Sequence, residues 1–339
     1  MRRIGLTLVA CLAGGIVGCV AVGPGVVVPA PTATVRSLTR VSSAYSTTSA
    51  SDLPLWLARE GGLFVQRGLD VNVQLMQNPA TTAALLSGQI DVAFEGVSDV
   101  LGPVVSGADL IVLANLVPTP PYVFEVSPQI NSAEDLRGAK IAASQAGGSD
   151  YVALQAVLRQ IGVDPTRDVD IVFVGGVPDR TAALVNGSAV ATLTAPPETL
   201  VLEARGFHPL VDLTSLHISS VNSGVVVQRA YARDHPDVIQ AFMDALLQAI
   251  ALQQRDRAQA ETVMEKYLNV SDRAQLDATY DFWVKRMMPS VPRISSDQFT
   301  LAVDTLAQKD PAVRSIDVNR LVDSSFVEAA AQHVKTDSP

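Results

Sequence analysis

A chain of 339 residues, 48% hydrophobic and 17% charged, can bury a substantial core, which excludes general disorder, and its length suggests about two domains. The formal charge of -9 comes with no basic cluster able to replace the counterions around phosphates, so no nucleic acid is expected as a partner. The sign of a small ligand is left open, because local groups set it.

Arg2 and Arg3 precede an apolar run from Ile4 to Val17, and small residues lead to Cys19, which is the chemistry of an export signal. Ile16-Val17-Gly18-Cys19 resembles the lipobox of bacterial lipoproteins. That resemblance implies a signal peptide over residues 1–18, lipidation of Cys19 and attachment to the membrane through the lipid anchor. An uncleaved anchor, or a secretory peptide without lipid, are the alternatives, and both still place the body outside. Cleavage before Cys19 removes Cys11 and leaves one cysteine, which rules out an intramolecular disulfide and a structural zinc cluster. Residues 19–37, with Pro24, Pro29 and Pro31 among small residues, read as a tether.

Residues 38–121 form the first part of one lobe. Thr39 to Ser43 is the first strand, and Ala44 to Asp52 follows as a loop facing a cleft. A helix opens at Pro54 with Leu53, Trp56 and Leu57 on one face, and Val71, Val73 and Leu75 alternate as a strand. Ala83 to Leu86 makes a short helix ended by Gly88, Val92 to Phe94 a buried strand, and Glu95 to Asp99 the turn into another helix. The carboxyl end of such a strand is where open α/β sheets place ligands. A helix to Val105 and a strand from Leu110 to Ala114 continue the alternation.

Taken together, Gly62-Leu63-Phe64, Gly68-Leu69-Asp70-Val71, Gly88 to Phe94 and Asp135-Leu136-Arg137-Gly138-Ala139-Lys140-Ile141-Ala142 resemble the nitrate/sulfonate/taurine and thiamine-precursor class of ABC-transporter solute-binding proteins. The resemblance implies an α/β, two-lobed type II periplasmic-binding-protein fold, each lobe a sheet flanked by helices, with two interlobe crossings. It implies an extracytoplasmic solute-binding component of an ABC importer, acting as a monomer without cofactor or metal. Its partners would be a small-molecule ligand and an ABC permease with its ATPase.

Residues 122–227 are expected to hold the second lobe with its crossings. Tyr122 to Val126 leaves the first lobe, and Ser132 to Asp135 carries a capping-box pattern that predicts a helix start. Lys140 to Ala143 reads as a strand, Ser144 to Tyr151 as a glycine-containing loop, Val152 to Ile161 as a helix and Ile171 to Val174 as a strand. Ala182-Ala183-Leu184-Val185-Asn186-Gly187 then repeats Ala83-Ala84-Leu85-Leu86-Ser87-Gly88, with Val190 to Leu193 as the following strand, although Val190 stands where the first copy has Asp91. Val225 to Val227 reads as the return crossing. Residues 228–339 form the helical C-terminal part of the first lobe, with Val238, Phe242, Leu246 and Ile250 on one face and Tyr280, Phe282 and Trp283 packed beneath.

Five stretches after strands line the expected cleft: Ser43 to Ser51, Gln77 to Thr81, Glu95 to Asp99, Ser144 to Tyr151 and Thr194 to Glu198. The ligand-binding candidates are Ser43, Tyr45, Gln77, Glu95, Gly96, Ser98, Gly148, Ser149, Asp150, Pro197 and Glu198. Gly147-Gly148-Ser149 before a helix offers backbone N–H groups to an anionic oxygen. Yet the five stretches hold acids and no Lys or Arg, which favours an amine, a zwitterion or a neutral heterocycle, with Tyr45, Phe94 or Tyr151 to stack. The resemblance implies a small organic nitrogen or sulfur compound: a sulfonate, a taurine-like zwitterion or a pyrimidine. His208, His217, His235 and His333 form no metal-ligand spacing and no nucleophile elbow is present, so no catalytic residue is assigned. A same-fold enzyme acting on a small metabolite and an extracytoplasmic ligand sensor are the alternatives.

Overall fold

The computed structural model describes residues 37–336; the expected signal peptide, Cys19 and the tether up to residue 36 lie outside the described residues. The first lobe opens with β1 (Thr39–Tyr45), α1 (Leu53–Glu60), α2 (Leu63–Gln66), β2 (Leu69–Leu75), α3 (Ala80–Leu86), β3 (Val92–Glu95), α4 (Val97–Val105) and β4 (Leu110–Asn115). The second holds β5 (Val123–Val126), β6 (Lys140–Ala143), α5 (Ser149–Gln160), β7 (Asp170–Phe173), α6 (Val177–Val185), β8 (Ala191–Thr194), α7 (Glu198–Glu203) and β9 (His208–Asp212). The chain then returns to the first lobe through β10 (Gly224–Gln228), α8 (Arg229–Asp234), α9 (Pro236–Arg255), α10 (Arg257–Leu268), α11 (Arg273–Tyr280), a π-helical segment (Asp281–Met287), α12 (Thr300–Leu306) and α13 (Ser325–Thr336).

The two sheets share one plan. Their orders are β2-β1-β3-β10-β4 and β7-β6-β8-β5-β9. The first three strands of each are parallel, and the fourth, β10 or β5, runs antiparallel to both neighbours. That antiparallel strand is the one arriving from the other lobe, so each sheet is completed by the chain that crosses to it. The expected crossing at Val225–Val227 is thus a strand of the first sheet. The similarity between 83–88 and 182–187 marks the same turn in both lobes: Gly88 (φ 73°) and Gly187 (φ 78°) take the left-handed conformation that ends α3 and α6 before the next strand.

Burial explains the local choices. Leu53 to Ala58 are all buried, so α1 is apolar on every side because sheet, α9 and α10 enclose it. Trp56 there stacks on Tyr267 with ring centroids 4.6 Å apart. Phe242, Leu246 and Ile250 of α9 are buried as their spacing predicts, with Val238 half-buried at the edge. The helix expected from Ser132 is instead one 3-10 turn, Glu134–Leu136. Asp135 accepts bonds from the Asn131 and Ser132 N–H groups and the Ser132 hydroxyl, and Gly138 (φ 74°) turns the chain away at once. The strand β9 is masked in the sequence by Pro209, and an edge strand is where a sheet tolerates proline.

The two crossings run side by side. The Leu116 N–H donates to the Ser223 carbonyl (2.8 Å), Ser220 to Pro118 (2.9 Å) and Asn222 to Val117 (3.2 Å). Asn115, fully buried, donates its amide to the Ser220 carbonyl (2.9 Å) and accepts from the Val117 N–H (3.2 Å), tying one crossing to the other.

Candidate functional site

A cavity of about 150 Å³ lies between the lobes. Its walls are the loops leaving six parallel strands: β1 (Ser46 to Ser51), β2 (Gln77, Asn78) and β3 (Gly96, Asp99) on one side, β6 (Ser144 to Asp150), β7 (Gly175 to Arg180) and β8 (Ala195 to Glu198) on the other. Three carboxyl ends from each sheet thus converge on one space, the position at which α/β sheets hold ligands.

Of the residues expected here, Gln77, Gly96, Gly148, Ser149, Asp150, Pro197 and Glu198 line the cavity. Ser98 falls outside the lining; its hydroxyl meets that of Ser149 on the opposite lobe at 3.1 Å instead. Glu95 lies one layer beneath: it is buried, its Oε2 accepts from the Thr82 hydroxyl (2.6 Å), and its Oε1 has no hydrogen-bond partner. Ser43 and Tyr45 fall outside the lining, because β1 continues two residues past its expected end and holds both in the sheet. Tyr45 packs edge-on against Trp56 in the core. Phe94 is also core, beside Phe242, and Tyr151 pairs with Phe173 along a separate groove. The aromatic side chains that do reach the cavity are Tyr122 from a crossing and Trp283 from the π-helical segment. Trp283 was expected to be pure core; it is buried, yet its indole N–H donates to the Pro196 carbonyl of the second lobe (2.9 Å).

The expectation of a cleft without cations is corrected by Arg180. It comes from the loop and helix after β7, a segment outside the five stretches, although its position after a strand end was visible in the sequence. The guanidinium is 4% exposed and ion-paired to Asp150, whose carboxylate also accepts from the Ser144 N–H (2.8 Å) and the Ser144 hydroxyl. Asp150 sits in the first turn of α5, so an anion approaching that helix start meets a carboxylate already in place. The Arg180 Nε is buried without a hydrogen-bond partner.

The other acids are held toward their neutral forms. Burial pushes Glu95 up to about 8, with the nearby Asp99 charge adding to the effect and bonds from Thr82 and Asn78 opposing it. Burial likewise raises Asp99 to about 7, against the bond from Gln145 and with the charge of Asp150. Glu198, half-buried, is raised to about 7 by burial, with Arg180 pulling the other way.

The lobes are closed on one another. Gln145 donates to Asp99 across the cleft (2.8 Å), and Arg286 of the first lobe reaches Asp212 of the second (3.1 Å) and the Thr214 hydroxyl. A Cβ on Gly96 would overlap the Ser149 hydroxyl, so the absence of a side chain there is what lets the two loops meet.

The NMT1/THI5-like family description matches residues 50–260, more than half of the chain. The Bacillus subtilis binding-protein candidate YtlA is 23% identical over 220 residues, 63% of this chain and 66% of that protein, so the chain spans just under two thirds of that relative. Among solved structures, the aliphatic sulphonate binding protein SsuA of Escherichia coli superposes with a TM-score of 0.69 at 23% identity, covering 86% of this chain and 100% of its own. The periplasmic nitrate-binding protein NrtA of Synechocystis PCC 6803 superposes at 0.70 with 15% identity, covering 88% of this chain and 90% of its own. These likenesses have the two-lobed periplasmic-binding-protein shape that the sequence motifs imply, and the strand plan above is that shape. With the motif residues Gly62 to Phe94 and Asp135 to Ala142 inside the matched span, the chain belongs to the NMT1/THI5-like family.

Proposed function

We propose that the protein is the extracytoplasmic solute-binding component of an ABC importer, capturing a small organic nitrogen or sulfur compound between its lobes. The observation that carries this reading is the cavity of about 150 Å³ bounded by strand ends from both lobes. A space of that order holds roughly one six-membered ring. Closure around a ligand shifts an open–closed equilibrium, and the closed surface is what a permease with its ATPase would recognise. The protein itself then needs no cofactor and acts as a monomer.

The cavity's polar groups narrow the chemistry. Asp99 and Glu198 offer acceptors, and Arg180 is the one cationic side chain among the described lining residues. A ligand with N–H donors at one end and an acceptor at the other matches both, which favours a taurine-like zwitterion or an amino-substituted pyrimidine over a simple sulfonate or nitrate. The resident Asp150–Arg180 pair leaves a bare anion little uncompensated positive charge.

Thermal-shift and calorimetric titration of the chain with taurine, a 4-aminopyrimidine, ethanesulfonate and nitrate tests this. The first two should raise the melting temperature and nitrate should not; chemical turnover of a bound compound would overturn the binder reading. Export and lipidation at Cys19 complete the proposal, supported by the lipobox-like Ile16-Val17-Gly18-Cys19. Labelling with a fatty-acid analogue in a bacterial host should mark the chain and leave Cys19→Ala unmarked; equal labelling sinks the assignment.

A further inference from the structure

We infer that the π-helical segment Asp281–Met287 is a closure arm of the first lobe, whose Trp283 both walls the ligand cavity and latches onto the second lobe when the cleft is shut. The inference rests on the cleft being the ligand site, and it adds a positioning residue to it. Trp283 is the one cavity-lining residue beyond Ser223 among the described residues, and it lies past the end of the family match at residue 260.

The local geometry explains how a lobe I helix reaches lobe II. The Met288 N–H bonds back to the Trp283 carbonyl (2.9 Å), five residues earlier, which is the wider π turn and a common mark of functional segments. Trp283, Val284 and Met287 all pack in the first lobe's core, while the Trp283 indole N–H and the Arg286 guanidinium reach the second lobe. Trp283 donates to the Pro196 carbonyl just before Pro197 and Glu198, and Arg286 bonds Asp212 and Thr214 at the end of β9. The arm therefore holds the second lobe at the ends of two different strands, separately from the crossing strands. Opening the cleft breaks both attachments, exchanges the indole's carbonyl partner for water and wets the edge of the ring. A rigid flat wall on a cavity of about 150 Å³ also discriminates by shape, admitting flat or slender ligands.

The chain has two tryptophans, and Trp56 is fully buried in the first lobe's core, so Trp56→Phe leaves Trp283 as the only indole. Emission and acrylamide quenching of that variant of the full chain are titrated with taurine, 4-aminopyrimidine and ethanesulfonate. A probe that raises the melting temperature should shift the emission and cut quenching by about twofold, and Trp283→Phe should bind that probe about tenfold more weakly. Unchanged affinity in Trp283→Phe, or quenching indifferent to a bound probe, overturns the inference. A second arm needs no ligand: in the unliganded protein, adding Arg286→Ala to Trp56→Phe should increase quenching of Trp283, and equal quenching refutes the latch. Failure of every probe to bind would count against the ligand site itself, while the Arg286 comparison would still decide the arm. Should Trp56→Phe not fold, the difference spectrum between the native chain and Trp283→Phe gives the same readout.

Discussion

At the scale of single residues, the acids around the cavity make its chemistry depend on pH. Glu95 is 1% exposed, and its Oε1 has no hydrogen-bond partner while Oε2 accepts from Thr82. Its protonated form is therefore favoured in the folded chain up to about pH 8, against an ordinary value of 4.5. Below the ordinary value both folded and unfolded chains carry the proton, and the full stabilisation is present. Between that value and about 8 only the unfolded chain ionises, so stability falls as pH rises, by up to about 1.4 kcal/mol per pH unit for one proton. Chemical denaturation between pH 5 and pH 8 should show this decline, and Glu95→Gln should lessen it, the raised Asp99, Glu125 and Glu198 keeping the remainder; an unchanged slope in that variant would place the proton elsewhere. The sequence marked Glu95 by its position at a strand end. It could not tell that β3 keeps the side chain beneath the cavity floor and leaves Asp99, one helical turn on, to face the ligand.

At the scale of elements, the second lobe's wall is held by one buried pair joining α5 to α6. Asp150 and Arg180 are both nearly inaccessible, and the Ser144 N–H and hydroxyl complete the carboxylate's bonding. Removing one member strands the other charge, so Arg180→Met should cost about 3 to 5 kcal/mol in urea unfolding. Asp150→Asn combined with Arg180→Met should recover part of that loss, because neither charge then remains buried alone. Equal losses in the single and double variants would mean that packing, not charge, holds the wall. The elements themselves were largely legible: periodicity gives α9, and the paired turns at Gly88 and Gly187 give the repeated helix-turn-strand. Elements whose sequences contradict their structures were not, as with β9 and its Pro209, or the arrested turn after Ser132.

At the scale of the whole molecule, two lobes of one plan face each other and meet where the side chains are smallest. Gly96 and Ser149 belong to different lobes, and a methyl group on Gly96 has no room beside the Ser149 hydroxyl. Gly96→Ala should hold the lobes apart, enlarging the scattering radius of gyration in the presence of taurine or 4-aminopyrimidine and weakening their binding about tenfold. Adding Ser149→Gly makes room for the methyl and should restore compaction. If Gly96→Ala closes as fully as the native chain, that contact does not govern closure.

The sequence by itself determined the two-lobed α/β architecture, because hydrophobic period, turn glycines and the repeated motif are local signals that do not depend on distant partners. It also pointed to five of the six strand ends that face the cleft, since that follows from parallel topology, and passed over the end of β7. Only the tertiary structure decided which side chains arrive there. Arg180 and Trp283 come from segments whose local patterns read as ordinary helix and ordinary core, and Tyr45 turns inward because β1 gains its last residues by pairing with β2 and β3. A cleft between lobes is built from long-range contacts, and its charge balance and aromatic wall are set by them.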